Sequence, residues 1–347
     1  MKLDLRETTL MKGIGILLII GHNFQYRVDG LPGVNEFVFA PENAVAFVDA
    51  LRASPVSTPR LLLAFLGHYG VQLFIFLSAY GLAQSFQRRV PTYGAFLRSR
   101  VVKLYPTFLL AILAWAIWKG FPGGVGTSVL LKLSLISNLV PGEQLKLVGP
   151  WWFLPFIVQF YLLFPLLFRL PTRGLLAASL AAFAVTVGMN ETLLPDGYLY
   201  ATPIGHLPEF CLGIWWARTS PARVHPGFAL LAVLAFLAGN AWQGAWYLTH
   251  VSVLLLMLFA WPVVSRVLSR AQTAVLFIGT ISFELFLVNG FTRDPFLTWA
   301  REAGTEGAAW GYGALSFASA LGVAVVLFTV RNRSLPLPRG GEGRGEG

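Results

Sequence analysis

Two stretches constrain this chain more than anything else in it. Residues 61–87 hold no Asp, Glu, Lys or Arg, and neither do residues 226–265. A helix crosses the bilayer core with roughly 20 apolar residues. The first stretch is one crossing. The second is too long for one, and Gly239-Asn240-Ala241-Trp242-Gln243-Gly244 supplies a polar turn in its middle. Further apolar segments lie at about 10–27, 104–119, 148–168, 174–190, 198–217 and 272–291, with a last one at 308–330. Together they predict an all-α integral membrane protein, a polytopic bundle of about ten transmembrane helices embedded in the lipid bilayer. Composition agrees. Of the 347 residues, 56% are hydrophobic and only 12% are charged, about half the usual charged share. So little charge excludes a disordered chain and a soluble globular enzyme. The single cysteine, Cys211, excludes an intrachain disulfide and a cysteine-based metal cluster.

The net charge of +10 does not mark a nucleic-acid partner, because the basic residues punctuate apolar segments instead of lining one face. It is readable as topology. The stretch 124–140 is apolar but contains Lys132 and Asn138, so it is either an eleventh span or an interfacial, re-entrant piece. If it does not cross, both termini share one side, and that side holds 18 of the 26 basic residues. The opposite side keeps eight basic residues and ten of the 16 acidic ones. By the positive-inside rule both termini are then cytoplasmic, and loops 28–60 and 291–307 are external. The expected location is the cell (inner) membrane. The N-terminus does not read as a cleaved signal: its apolar core is short, His22-Asn23 follows directly, and no small-x-small site is present. Residues 1–330 form the membrane domain. The Gly-rich, charged segment 331–347 is expected to be a disordered tail. No internal repeat is evident, which counts against a transporter built from inverted halves.

Ionisable groups inside membrane spans are costly and usually face an interior cavity. Here they are His22, His68, His206, Glu209, His250 and Glu284. His22 lies ten residues after Lys12, about 15 Å along a helix, which brings it near mid-membrane if Lys12 sits at the headgroups. An imidazole there is either a base near physiological pH or a packed histidine donating to a carbonyl. His250 reads as structural. Between the second and third spans, Gln87-Arg88-Arg89 and Phe96-Leu97-Arg98-Ser99-Arg100-Val101-Val102-Lys103-Leu104-Tyr105-Pro106 form a basic hairpin. Arg100 and Lys103 share a helix face. Such a cluster suits a polyphosphate ligand or anionic lipid. No P-loop, HExxH, Gly-x-Ser-x-Gly or metal-ligand cluster occurs, and no metal is implied.

Taken in order, these segments resemble the membrane acyltransferase family 3. Lys12-Gly13-Ile14-Gly15-Ile16-Leu17 leading to His22 is similar to that family's first-span motif. Phe74-Ile75-Phe76-Leu77-Ser78-Ala79-Tyr80 is similar to its Phe-x-x-Ser-Gly-Tyr. Arg100-Val101-Val102-Lys103 with Pro106 resembles its Arg-x-x-Arg, two residues before Pro. Trp152-Phe153-Leu154 with Phe160-Tyr161 and Pro165 resembles its Trp-Ser-Leu…Phe-Tyr…Pro. Pro208-Glu209-Phe210…Gly213 and Ile281-Ser282-Phe283…Leu287 match its later spans. The departures are Lys12 and Lys103 for arginine, Ala79 for glycine, and Asn289 for histidine. A glutamate expected before Phe-Tyr is absent: Ile157 stands there, and Gln159 is the nearest polar group.

The resemblance implies an O-acyltransferase that moves an acyl group, acetyl or similar, from acyl-coenzyme A to a hydroxyl of a cell-envelope glycan or related acceptor. Acyl-coenzyme A is a consumed co-substrate, and no other cofactor is implied. It further implies His22 as general base, with Lys12, Arg98, Arg100 and Lys103 holding the donor. Ser78, Tyr80, Trp152, Tyr161, Glu209 and Ser282 would contact substrate. Two rivals are a transporter of a glycan or lipid-linked intermediate, with Glu209 and Glu284 as relay carboxylates, and a non-catalytic membrane component.

Overall fold

The computed structural model describes residues 2–28, 33–189 and 198–334. Helices and short connections make up these residues, and no strand occurs among them, as a chain that must satisfy its backbone within hydrocarbon requires. The helices are α1 (Leu5–Val28), α2 (Pro41–Ala53), α3 (Thr58–Leu66) and α4 (Gly70–Arg88). Then come α5 (Tyr93–Trp118), α6 (Gly126–Leu133), α7 (Phe153–Arg169) and α8 (Thr172–Met189). They are followed by α9 (Leu207–Thr219), α10 (Pro226–Ala241), α11 (Gln243–Trp246) and α12 (Thr249–Val267). The last four are α13 (Gln272–Thr280), α14 (Ser282–Thr292), α15 (Asp294–Ala303) and α16 (Glu306–Ser334).

The chain is a multi-pass membrane protein. Among the described residues six helical segments are long and apolar enough to cross a bilayer, and α13 with α14, bent by 80°, make a seventh if counted as one span. By that measure the expected ten is not reached, and the reason is local. α9 and α10 have 13 and 16 residues, short of the roughly 20 a crossing needs. α1 has 24 residues, but Arg6, Glu7, Lys12 and Arg27 lower its hydropathy. The 124–140 stretch folds as the eight-residue α6 and a turn at Ser137–Leu139, too short to cross. α16 continues through Arg331 to Ser334. The remainder of the expected tail, 335–347, lies outside the described residues.

α1 is the central helix, touching α3, α4, α13, α14, α15 and α16. It comes close to its neighbours through small residues. A methyl group on Gly70 would stand 2.5 Å from the Gly15 carbonyl oxygen, so backbone meets backbone there, as small residues permit in membrane bundles. The outer helices show the opposite chemistry. Leu109, Leu113 and Ile117 on α5, Leu176 and Leu180 on α8, and Leu230, Leu231, Leu234 and Leu237 on α10 are exposed. Such continuous apolar surface suits lipid and not water. The core between is aromatic. Phe160 stacks on Phe210 at 4.1 Å, and the fully buried Trp151 donates through its indole N–H to the Leu287 carbonyl at 2.8 Å.

Candidate functional site

Two cavities open beside α1, on opposite sides of its middle. The first has a volume of about 340 Å³ and is lined by Lys12, Arg100, Lys103 and Arg331, with Ser78, Tyr161, Ser282 and Glu284. The second, about 400 Å³, is lined by His22, Asn23, Tyr26, Arg27, Glu36, Phe37, His68 and Trp152. Ile19, Val71 and Phe286 line both. These three apolar side chains form the wall, or throat, between a cationic chamber and a histidine chamber. The spacing of Lys12 and His22 on one continuous helix places one residue in each, about 15 Å apart along the axis.

The cationic chamber draws its cations from three helices, α1, α5 and α16. The chain turns at Arg89–Thr92, and α5 begins at once, capped by the Thr92 hydroxyl accepting from the Ala95 N–H at 3.4 Å. Arg100 and Lys103 lie one turn apart on its inner face. Arg98, two residues before Arg100, is exposed and lines neither cavity. Arg331, from the last turn of α16, forms an ion pair with the fully buried Glu284. Glu284 stands in the first turn of α14, where the α13–α14 break turns a helix N-terminus and its positive partial charge towards the cavity. A chamber with four cations and one carboxylate suits an anionic ligand.

In the second chamber the His22 ring is fixed by its backbone neighbour. Nδ1 lies 2.7 Å from the Ala64 carbonyl oxygen. A carbonyl only accepts, so Nδ1 carries the proton and Nε2 keeps its lone pair. Ala64 is in the last turn of α3, where carbonyls have no partner within the helix. The close approach that delivers it depends on Gly67, where a methyl would stand 2.6 Å from the Leu18 carbonyl oxygen and 2.8 Å from the His22 Cβ. Tyr26 stacks on the imidazole at 5.7 Å, and His68 meets it edge-on at 5.3 Å.

His22 Nε2 faces Glu36, with Oε2 at 3.9 Å. That separation is too long for a direct hydrogen bond but admits a hydroxyl oxygen bonded to both. The loop carrying Glu36 is fastened on either side. The Asn35 side-chain oxygen accepts from the Ala40 N–H at 3.0 Å and from Asn43 Nδ2 at 2.9 Å, and the Trp246 indole donates to the Asn35 carbonyl at 3.0 Å. Phe37 meets Trp152 edge-on at 5.2 Å. Burial pushes the Glu36 carboxyl up to about 7, against the opposite pull of Arg27.

The expected contact residues separate. Ser78, Tyr161 and Ser282 join Lys12, Arg100 and Lys103 in the cationic chamber, and Trp152 joins His22. Tyr80 is in neither: its hydroxyl accepts from the Leu3 N–H at 2.9 Å and donates to the Leu3 carbonyl at 3.0 Å, which ties down the N-terminus. Glu209 is also in neither, lying 3.2 Å from His206 Nδ1 in a buried cluster with Tyr200 and His250. Ile157, at the position where a glutamate was expected, lines the cationic chamber, and Gln159 pairs with Asn138 at 2.9 and 2.8 Å. Glu36 and Arg331 were not legible as site residues. The one is a single acid in a polar loop, and the other sits just past an apolar run.

The acyltransferase-domain family model matches residues 6–329, nearly the whole chain, ending two residues before Arg331. No curated protein and no solved structure matches. With a match of that extent over a membrane bundle of this kind, the chain belongs to acyltransferase family 3.

Proposed function

We propose that this membrane acyltransferase takes its acyl group from acyl-coenzyme A and passes it to a hydroxyl of a cell-envelope glycan or related acceptor, with His22 as general base. The observation that carries this reading is the His22 tautomer, with Nδ1 engaged by the Ala64 carbonyl and Nε2 free in a cavity separated by one apolar throat from a cationic chamber. Arg100, Lys103, Lys12 and Arg331 hold the donor phosphates, on what the charge bias makes the cytoplasmic side. The thioester reaches through the throat. The acceptor hydroxyl gives its proton to Nε2 as its oxygen attacks the thioester carbonyl. The tetrahedral intermediate collapses, the C–S bond breaks, and the imidazolium returns the proton to the departing thiolate. Proton transfer of this kind contributes about 10²–10⁴-fold to rate.

The test is acyl transfer by purified protein. His22→Gln keeps a polar side chain but accepts no proton at neutral pH. It should lower turnover by at least about 10² while coenzyme A binding stays near wild type. His250→Gln, in the buried cluster outside both chambers, serves as the control. Retention of most activity in His22→Gln would overturn the base assignment.

A further inference from the structure

A third cavity, of about 380 Å³, shares no lining residue with either chamber. It lies where α4 ends, α5 begins and α7 ends. Phe86, Val90, Pro91 and Tyr93 line it from the α4–α5 turn, and Pro165, Leu166 and Phe168 from α7. Part of its wall is fixed by aromatic packing. Phe86 is buried, and its ring meets Phe96, Phe164 and Phe168 edge-on at 5.1, 4.8 and 5.4 Å. The Tyr93 hydroxyl donates to the Leu162 carbonyl at 3.2 Å and ties α5 to α7. Other parts of the wall face outwards: Val90 is 63% exposed and Leu166 61%. The cavity is an apolar groove on the surface of the bundle.

Both helices that end at this groove pass from apolar to basic in the same order. α4 runs from Phe86 to Arg88 and its cap Arg89, and α7 runs from Leu166 and Phe168 to Arg169. Arg169 lines the groove, and all three arginines are exposed. Among the described residues no carboxylate lies within ion-pair distance of any of them. The local sequence offers none. Between Asp49 and Glu191 the single acidic residue is Glu143, and it pairs with Lys146 at 2.5 Å. Arg218 also reaches this end of α7, but it is engaged: it donates to the Leu170 carbonyl at 2.7 Å and lies over the Phe168 ring at 4.8 Å. The excess of basic residues makes this end of the bundle the cytoplasmic one.

We propose that this groove binds an anionic phospholipid of the surrounding bilayer, with an acyl chain against Phe86, Leu166 and Phe168 and the headgroup phosphate at Arg169. The order of apolar wall and cation along both helices matches an amphiphile entering from the membrane. A soluble phosphate would leave the apolar wall unused. A guanidinium fork pairs with phosphate oxygens, and Arg88 and Arg89 favour a net negative headgroup over a zwitterionic one. The cations of the basic hairpin are thereby divided between two tasks. Arg100 and Lys103 line the inner chamber, while Arg88 and Arg89 stay at the lipid boundary. The lipid also packs against Tyr93, in the first turn of the helix that carries Arg100 and Lys103.

The test uses the full-length protein purified in detergent, with bound lipid counted by native mass spectrometry. The probes are phosphatidylglycerol and phosphatidylcholine with identical acyl chains, and glycerol 3-phosphate as a headgroup without a chain. Phosphatidylglycerol should bind at least about fivefold tighter than phosphatidylcholine, the effect of one arginine near an anionic headgroup. Arg169→Gln should weaken phosphatidylglycerol binding by about the same factor. Arg270→Gln removes an exposed charge outside the groove, on the same side by the charge count, and should not weaken it. Leu166→Trp fills the groove and keeps every charge, and it should weaken both lipids. If Arg169→Gln does not fold, Leu166→Trp carries the test. Equal binding of the two lipids, equal losses in Arg169→Gln and Arg270→Gln, or wild-type binding in Leu166→Trp overturns the proposal. So does displacement of the lipid by an equal concentration of glycerol 3-phosphate, which would make the site one for a free phosphate.

Discussion

Four of the five histidines are buried in the bundle, and their ring nitrogens set them apart. Both nitrogens of His206 are engaged, by Glu209 and by the Tyr200 carbonyl, and His250 lies stacked on Tyr200 at 4.3 Å. His22 alone combines a carbonyl on one nitrogen with a cavity and a carboxylate at the other. That carboxylate makes the pH dependence specific. Glu36, held up near 7 by burial, is protonated below that pH and ionised above it. Ionised, it places a negative charge 3.9 Å from Nε2, which favours the imidazolium that forms when the ring takes a proton; protonated, it does not. Wild-type kcat/KM should therefore rise through about pH 7. In Glu36→Ala that step should disappear from the pH profile, at a lower overall rate. A step of unchanged position in Glu36→Ala would assign it to another group.

At the scale of elements, the site depends on where helices break. The α3–α4 break at Gly67–Tyr69 exposes the Ala64 carbonyl to His22, and the break before Ser282 brings a helix start to the cationic chamber. Gly67→Ala should force α3 away from α1, because its methyl meets the Leu18 carbonyl and the His22 Cβ. The expected cost is about 1–3 kcal/mol of stability, seen as a lower unfolding midpoint, with turnover reduced and donor KM little changed. The first turns of α5 carry a different prediction. Charge-assisted phosphate contacts are worth about 1.5–3 kcal/mol each. Arg100→Ala with Lys103→Ala should raise the donor's apparent constant by about two orders of magnitude or more and affect the chemical step less. Arg98→Ala, exposed on the other face of the same helix, should leave the donor constant unchanged in a direct titration.

At the scale of the whole molecule, two chambers flank one helix with an apolar throat between them. If the acyl group passes that throat, its width selects the acyl chain. Phe286→Leu, which shortens one of the three throat residues, should raise the rate with butyryl-coenzyme A relative to acetyl-coenzyme A. An unchanged ratio would place acyl selection elsewhere. The two mouths should also face opposite sides of the membrane. The single native cysteine is buried, so cysteines placed at Arg89 and at Val38 report separately. A membrane-impermeant maleimide added to intact cells should label the second and not the first.

Much of this protein was readable from the order of its residues, because lipid imposes a simple rule on sequence. Charge-free runs had to be helices within the bilayer, and the polar turn at Gly239–Gly244 had to separate two of them. Lys12 and His22 lie on one helix, so their separation followed from helix geometry alone. Arg100 and Lys103 shared a face for the same reason. What sequence could not place was whatever depends on contact between distant segments. Glu36 reaches His22 from a loop held by Asn35 and Trp246, and Arg331 reaches Glu284 from the far end of the chain. Tyr80 lies within a motif but ties down Leu3. Local periodicity determines which face of a helix is apolar. Only packing decides which carbonyl meets His22 Nδ1 and which carboxylate faces Nε2.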